Sequence, residues 1–137
     1  MPKLNVHLGL PDVKLNPNRA KRLHWATKGA LVRKLREESM WASRAATFAA
    51  GFKPLVLTKC VVQAHWKMPN KARSADPDNL AAMLKPVWDG FQDSKLLADD
   101  KELTHLPVTQ EVDPGYAGLY ITIEWENEDA GPAQVRH

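Results

Sequence analysis

Cysteine is nearly absent from this chain of 137 residues. Cys60 stands alone, so no internal disulfide can form. A fold held without disulfides suits a reducing cytosol. No stretch approaches the roughly 20 apolar residues that span a bilayer, and Met1-Pro2-Lys3-Leu4-Asn5-Val6-His7 carries no apolar run of signal-peptide length. The expectation is a soluble, cytoplasmic protein with no membrane partner. The histidines His7, His24, His65, His105 and His137 show no zinc spacing. Neither a Gly-x-Ser-x-Gly elbow nor a P-loop occurs, so no small-molecule cofactor is expected. Cys60 lies in a strand-like run with no motif around it and reads as core.

What is present suits one domain: 44% apolar and 26% charged residues. Residues 1–126 are expected to form it, with residues 127–137 a polar, frayed C-terminal tail. The formal net charge of +3 hides an asymmetry. Residues 1–75 hold 15 Lys/Arg against 3 Asp/Glu, and residues 76–137 hold 4 against 13. Such a split fits a basic surface for a polyanion beside an acidic centre, or two differently solvated faces.

Periodicity predicts the elements. Residues 4–10 alternate apolar and polar, as a half-buried strand does. Residues 14–25 are rich in Pro and Asn and read as an irregular loop. Arg19, Lys21, Arg22 and Trp25 there suit phosphate contact and stacking, or an exposed connector with one anchoring Trp. A helix follows over about residues 27–50, with Leu31, Leu35, Ala42, Ala45 and Ala49 on one side, cations on much of the rest, and Gly51 as its stop. Residues 55–68 read as one long strand, with Cys60, Val62, Ala64 and Trp66 inward and His65 on the surface. A basic turn carrying Lys71 and Arg73 follows. Leu80, Leu84, Val87, Trp88 and Phe91 form a helical stripe. Pro86 argues that this helix starts only near Met83, with the proline in its first turn. Residues 103–109 form a weak strand interrupted by Pro107, and the alternation from Leu119 to Trp125 predicts the clearest strand of all. Together these give an α+β domain: a small mixed sheet of about four strands with two helices on one face.

Chemistry concentrates in Ser74-Ala75-Asp76-Pro77-Asp78-Asn79-Leu80, followed by Lys85, Asp89 and Asp99-Asp100. Asp76 and Asp78 are two apart and flank a stiff proline, so in extended geometry their carboxylates can converge. Asn79 can cap the following helix or steady a carboxylate. Clustered acids repel unless a cation sits among them, and Mg²⁺ or Mn²⁺ takes such oxygen donors. Solvated caps and turns are the competing explanation. An EF-hand is excluded, because Met83 and Asp89 occupy the places of its Gly and Glu. Lys85 can balance charge on a reacting phosphate or pair with Asp89 at i+4.

The ordered run Asp76-Pro77-Asp78-Asn79, Lys85, Asp89-Gly90-Phe91 and Leu97-Ala98-Asp99-Asp100 resembles the RusA-like Holliday junction resolvases, which are crossover junction endodeoxyribonucleases. Upstream, Leu15-Asn16-Pro17-Asn18-Arg19, His24-Trp25 and a basic helix are similar to phage-type members, so the likeness covers about residues 4–126. It implies a RusA-like fold and a homodimer that binds four-way DNA junctions and makes paired symmetric nicks with Mg²⁺ or Mn²⁺, leaving 5′-phosphate and 3′-hydroxyl ends. By position, Asp76, Asp78 and Asp100 match the metal-binding acids, with Asp99 their neighbour. Lys85 matches the essential lysine, and Asp89 and Asn79 are secondary members. In the best-known pattern that lysine follows the second aspartate by about one turn; here three extra residues intervene. Arg19, Lys21, Arg22, His24, Lys71 and Arg73 are the expected DNA contacts. A non-cleaving module for branched DNA and a broader flap or fork nuclease are the alternatives.

Overall fold

Strand β1 (Lys3–Leu8) alternates as its sequence predicts, with Leu4, Val6 and Leu8 buried, in the computed structural model, which describes residues 2–21, 23–52, 55–98 and 103–132. The segment after it corrects the expectation of an irregular loop. It holds a 3₁₀ turn (Val13–Leu15) and a short helix, α1 (Pro17–Ala20). The residues that argued against regular structure start it. Asp12 and Asn16 accept the backbone N–H groups of Lys14 and Asn18 at 2.8 and 3.0 Å, and Pro17 occupies the first turn, where its missing N–H costs nothing.

Helix α2 (Trp25–Ala49) is capped by His24, whose Nδ1 accepts the Ala26 N–H at 3.2 Å. It stops at Gly51 as the sequence predicts. Gly51 sits at φ 77°. Its N–H donates to Phe48 O and that of Phe52 to Thr47 O, at 3.0 and 3.2 Å, the two bonds of a Schellman ending. The inward face differs from the predicted alanine stripe. Leu35, Ser39 and Ser43 are buried, whereas Ala45 and Ala49 are exposed.

The run at residues 55–68 is two strands. A bend at Thr58-Lys59 separates β2 (Leu55–Leu57) from β3 (Cys60–Met68). Helical structure begins earlier than the proline suggested. Helix α3 (Pro77–Ala82) precedes a turn at Met83-Leu84, and α4 (Lys85–Asp93) then begins with Pro86 in its first turn. The expected weak strand stops at His105 as β4 (Leu103–His105), two residues before Pro107, and β5 (Thr109–Val112) resumes beyond the proline. Strand β6 (Gly118–Glu124) is the predicted clear strand. The start of the supposed tail is structured, since β7 (Ala130–Pro132) pairs antiparallel with β2.

The main sheet has five strands, close to the expected number of about four. Its order is β1-β6-β3, with β4 and β5 both on the far edge of β3. β6 is antiparallel to β1 and β3, whereas β4 and β5 run parallel to β3. The result is an α+β fold with a mixed sheet. A parallel neighbour requires a long crossover, and here that crossover carries α3 and α4. One sheet face (Leu4, Val6, Val62, Trp66, Ile121, Ile123) joins Leu35, Leu80, Val87 and Phe91 of the helices in a single core. Each such side chain contributes about 1.5–3 kcal/mol by leaving water.

Helices α2 and α4 approach closely at Gly90. A Cβ there would lie 2.4 Å from Arg36 O and 2.7 Å from Ser39 Cβ. The buried Ser39 hydroxyl donates to Val87 O at 2.7 Å, and the Ser43 and Ser94 hydroxyls bond at 2.7 Å. Arg36 grips both Asp93 oxygens at 2.6 and 2.8 Å. Small polar residues line α2 there because α4, and not the sheet, is the close neighbour.

Two outcomes follow. Gly90→Ala should destabilise by about 2 kcal/mol, the overpacking penalty outweighing the helix preference of alanine; an unchanged urea midpoint would refute the close approach. The Arg36 guanidinium holds the Asp93 carboxyl below its ordinary value of 3.8. That stabilisation is present above 3.8 and is lost as pH falls through the lowered folded-state value. Both side chains are partly exposed, so Asp93→Asn should cost no more than about 1 kcal/mol at neutral pH. Urea unfolding across a pH series should show the gap between variant and wild type closing towards the acid end.

Candidate active site

The acidic turn is placed from two sides. Beyond β3, Asn70 accepts the Arg73 N–H at 3.2 Å and closes a 3₁₀ turn (Lys71–Arg73). Gln110 of β5 then holds Ala75 at both backbone groups. Its Nε2 donates to Ala75 O at 2.7 Å, and the Ala75 N–H donates to its Oε1 at 3.2 Å. The side-chain amide thus acts like one more rung of the sheet, immediately before Asp76. Asp76 begins α3 as its cap, with Oδ1 accepting the Asp78 N–H at 3.0 Å. Asn79 was the expected candidate for that role. Asp76 takes it because Pro77 is suited to the first helical position and leaves the preceding residue extended. Asp76 and Asp78 are both exposed; Asn79 is half-buried.

Asp78 opens on a cavity of about 540 Å³ that Lys85, Trp88 and His105 also line, over an apolar floor that includes Val62 and Ala64. Lys85 Nζ lies 3.0 Å from Asp89 Oδ1, the expected i,i+4 pair. The lysine therefore has its ion pair and also shares a cavity with Asp78. His105 and Trp88 meet edge to face, with ring centroids 5.2 Å apart. Neither was singled out as a site residue by sequence. Trp88 belongs by its spacing to the buried stripe, and His105 arrives through the parallel register that sets it opposite Val62. Gln110 was likewise missed, because its two bonds join positions 35 apart in the chain.

Asp99 and Asp100 lie outside the described residues. The chain approaches them from Ala98, whose N–H donates to Leu57 O at 2.9 Å, and resumes at Leu103, opposite Cys60. Among the described residues no group of three or more His, Cys, Asp or Glu side chains is placed to hold a metal. Asp76 and Asp78 nevertheless suit Mg²⁺, which takes hard oxygen donors, often only one or two protein carboxylates, and keeps several waters. Asp93 has a different task, held by Arg36 on the helix–helix contact. Cys60 is core as expected, 3% exposed. Burial, aided by the negative charge of Asp129, pushes its thiol up to about 11, so it is not a neutral-pH nucleophile.

The expected DNA contacts do not share one place. Arg19 of α1 and Arg73 line a second cavity of about 290 Å³, whose wall includes Ser74 and Ala75 of the acidic turn. Lys21 and Lys71 are exposed, and Arg22 lies outside the described residues. His24 is occupied in capping α2, with its ring 5.4 Å from that of Trp25, which is 79% exposed. His65 is a surface strand residue as predicted, next to Thr109 and Glu111. No described helix is long and apolar enough to cross a membrane.

No protein-family model matches the chain, and no curated protein does either.

Because the Lys85–Asp89 pair is solvent-facing on the lysine side, it contributes little to stability. Asp89→Asn should lower unfolding free energy by no more than about 0.5 kcal/mol, measured by urea denaturation. A loss several times larger would make the pair a structural element instead of a site feature.

Proposed function

We propose that the protein is a metal-dependent, structure-selective DNA endonuclease of the RusA-like kind that resolves four-way junctions by paired symmetric nicks. The supporting observation is the cavity shared by Asp78 and Lys85. It brings a carboxylate from the acidic turn beside a cation from the next helix, and it receives His105 from the strand that follows Asp99-Asp100. The ordered sequence likeness supplies the rest.

Asp76 and Asp78, with Asp100 and Asp99, would hold Mg²⁺ or Mn²⁺. When bound, the metal neutralises phosphate charge and makes a water more acidic. The protein's own groups do the positioning. Gln110 fixes the backbone before Asp76, and the α3 cap fixes the Asp76 carboxylate against the Asp78 N–H, so little reorganisation of that turn is needed on substrate binding. Lys85 faces the charge that develops as the P–O3′ bond breaks, and Asp89 keeps its ammonium in place. Cleavage leaves 5′-phosphate and 3′-hydroxyl ends. Arg19, Lys21 and Lys71 take phosphates without regard to sequence, and Arg73 meets the DNA from the second cavity beside Arg19. A single centre cuts one strand, so two symmetric cuts call for a twofold homodimer.

A panel of duplex, flap, fork and synthetic four-way junction, with and without Mg²⁺ or Mn²⁺, tests this. The junction should be cut preferentially and only with metal. Asp78→Asn should lose at least roughly 100-fold in rate while still binding. Binding without cleavage in either metal would overturn the enzyme; equal cutting of all branched substrates would overturn the junction preference.

A further inference from the structure

The second cavity carries a feature that the cleavage chemistry does not use. Trp66, only 2% exposed, has an indole Nε1–H with no hydrogen-bond partner. The Arg73 Nε–H is likewise buried without an acceptor. Both residues line the same space of about 290 Å³. Buried donors are nearly always satisfied in native proteins, and a tryptophan is usually buried where its N–H finds a partner. Two residues with such donors on one cavity therefore mark a place where an acceptor from outside can satisfy them once the side chains adjust to it.

The walls narrow the class of acceptor. Among the described residues no carboxylate lines the cavity, and Val13, Met68, Leu80 and Met83 make much of it apolar. Arg19 also lines the cavity and can pair with the phosphate of a nucleotide, but the apolar walls would strip an isolated phosphate of its hydration. A flat heteroaromatic ring with a carbonyl or ring nitrogen matches both the walls and the donors. The position matters too. Ser74 and Ala75, directly before Asp76, belong to the wall, so a nucleotide next to a phosphate at Asp76 is within reach of the cavity.

We infer that this cavity, built from Trp66, Arg73 and the Val13–Arg19 side of the N-terminal segment, receives one nucleobase turned out of its stack beside the cut site. It accepts the base through indole and guanidinium N–H donors. Naming the acceptor as a nucleobase rests on the proposed nuclease activity. Turning a base out is least costly where stacking is already interrupted, as at a branch point.

The indole N–H reports directly. A ¹⁵N–¹H spectrum of the full chain contains signals from five tryptophans, and Trp66→Phe identifies the one that matters. Titration with deoxyguanosine and deoxycytidine monophosphates should displace that signal downfield and saturably, and inorganic phosphate should not. Arg73→Met should weaken the effect roughly tenfold. If Trp66→Phe does not fold, the signal is identified by its change in Arg73→Met. No displacement with either nucleotide, or equal displacement by phosphate, overturns the base pocket. Junction cleavage assayed in parallel keeps the two proposals apart. Cleavage without displacement sinks the pocket alone, and displacement without cleavage supports the pocket and sinks the nuclease.

Discussion

Strand β3 is the constraint on which the rest depends. Its alternation is complete: Cys60, Val62, Ala64, Trp66 and Met68 are buried and the four residues between them are half-exposed. A one-residue slip would turn every one of these to the wrong face. Both of its edges are paired, to β6 on one side and to β4 and β5 on the other. The candidate site is assembled from what this strand touches. Its far end releases the basic turn and the acidic turn. Its parallel edge brings His105 to the first cavity and Gln110 to the backbone before Asp76. Its inward face supplies Val62 and Ala64 to one cavity and Trp66 to the other.

Helix α4 is the second determinant, and its three acidic and basic side chains show how position divides roles. Asp93 faces α2 and is gripped by Arg36, so it stabilises the helix pair. Asp89, one turn earlier, pairs within the helix to Lys85. Lys85, one turn earlier again, reaches the cavity shared with Asp78. The close approach at Gly90 sets this rotation. A larger residue at that point would lift α4 away from α2 and move Lys85 with it.

Much of the architecture was legible because its signals are local. The alternation of residues 3–8, 60–68 and 118–124, the helix after His24, the stop at Gly51 and the placing of Pro86 in a first turn all follow from short-range sterics and backbone hydrogen bonding. The misjudged segments were those where a side chain competes with composition. Asp12 and Asn16 convert a Pro- and Asn-rich stretch into two helical turns. The bend at Thr58-Lys59 diverts three residues to a separate sheet, because β7 offers them a partner that no local pattern announces.

For the candidate site the division is similar. The sequence by itself determined that Asp76, Asp78, Lys85 and Asp89 sit on one stretch, since spacing across a proline and a helical turn is a local property. It also determined the basic half-chain that precedes them. Only the tertiary structure decided that Asp76 is the cap, that Gln110 holds the chain before it, and that His105 lines one cavity with Lys85 and Asp78. It also decided that Trp66 and Arg73, each with a buried N–H that has no partner, line one cavity. Those outcomes depend on strand register and helix rotation between distant segments, which are settled by packing the whole core and not by the residues at the site.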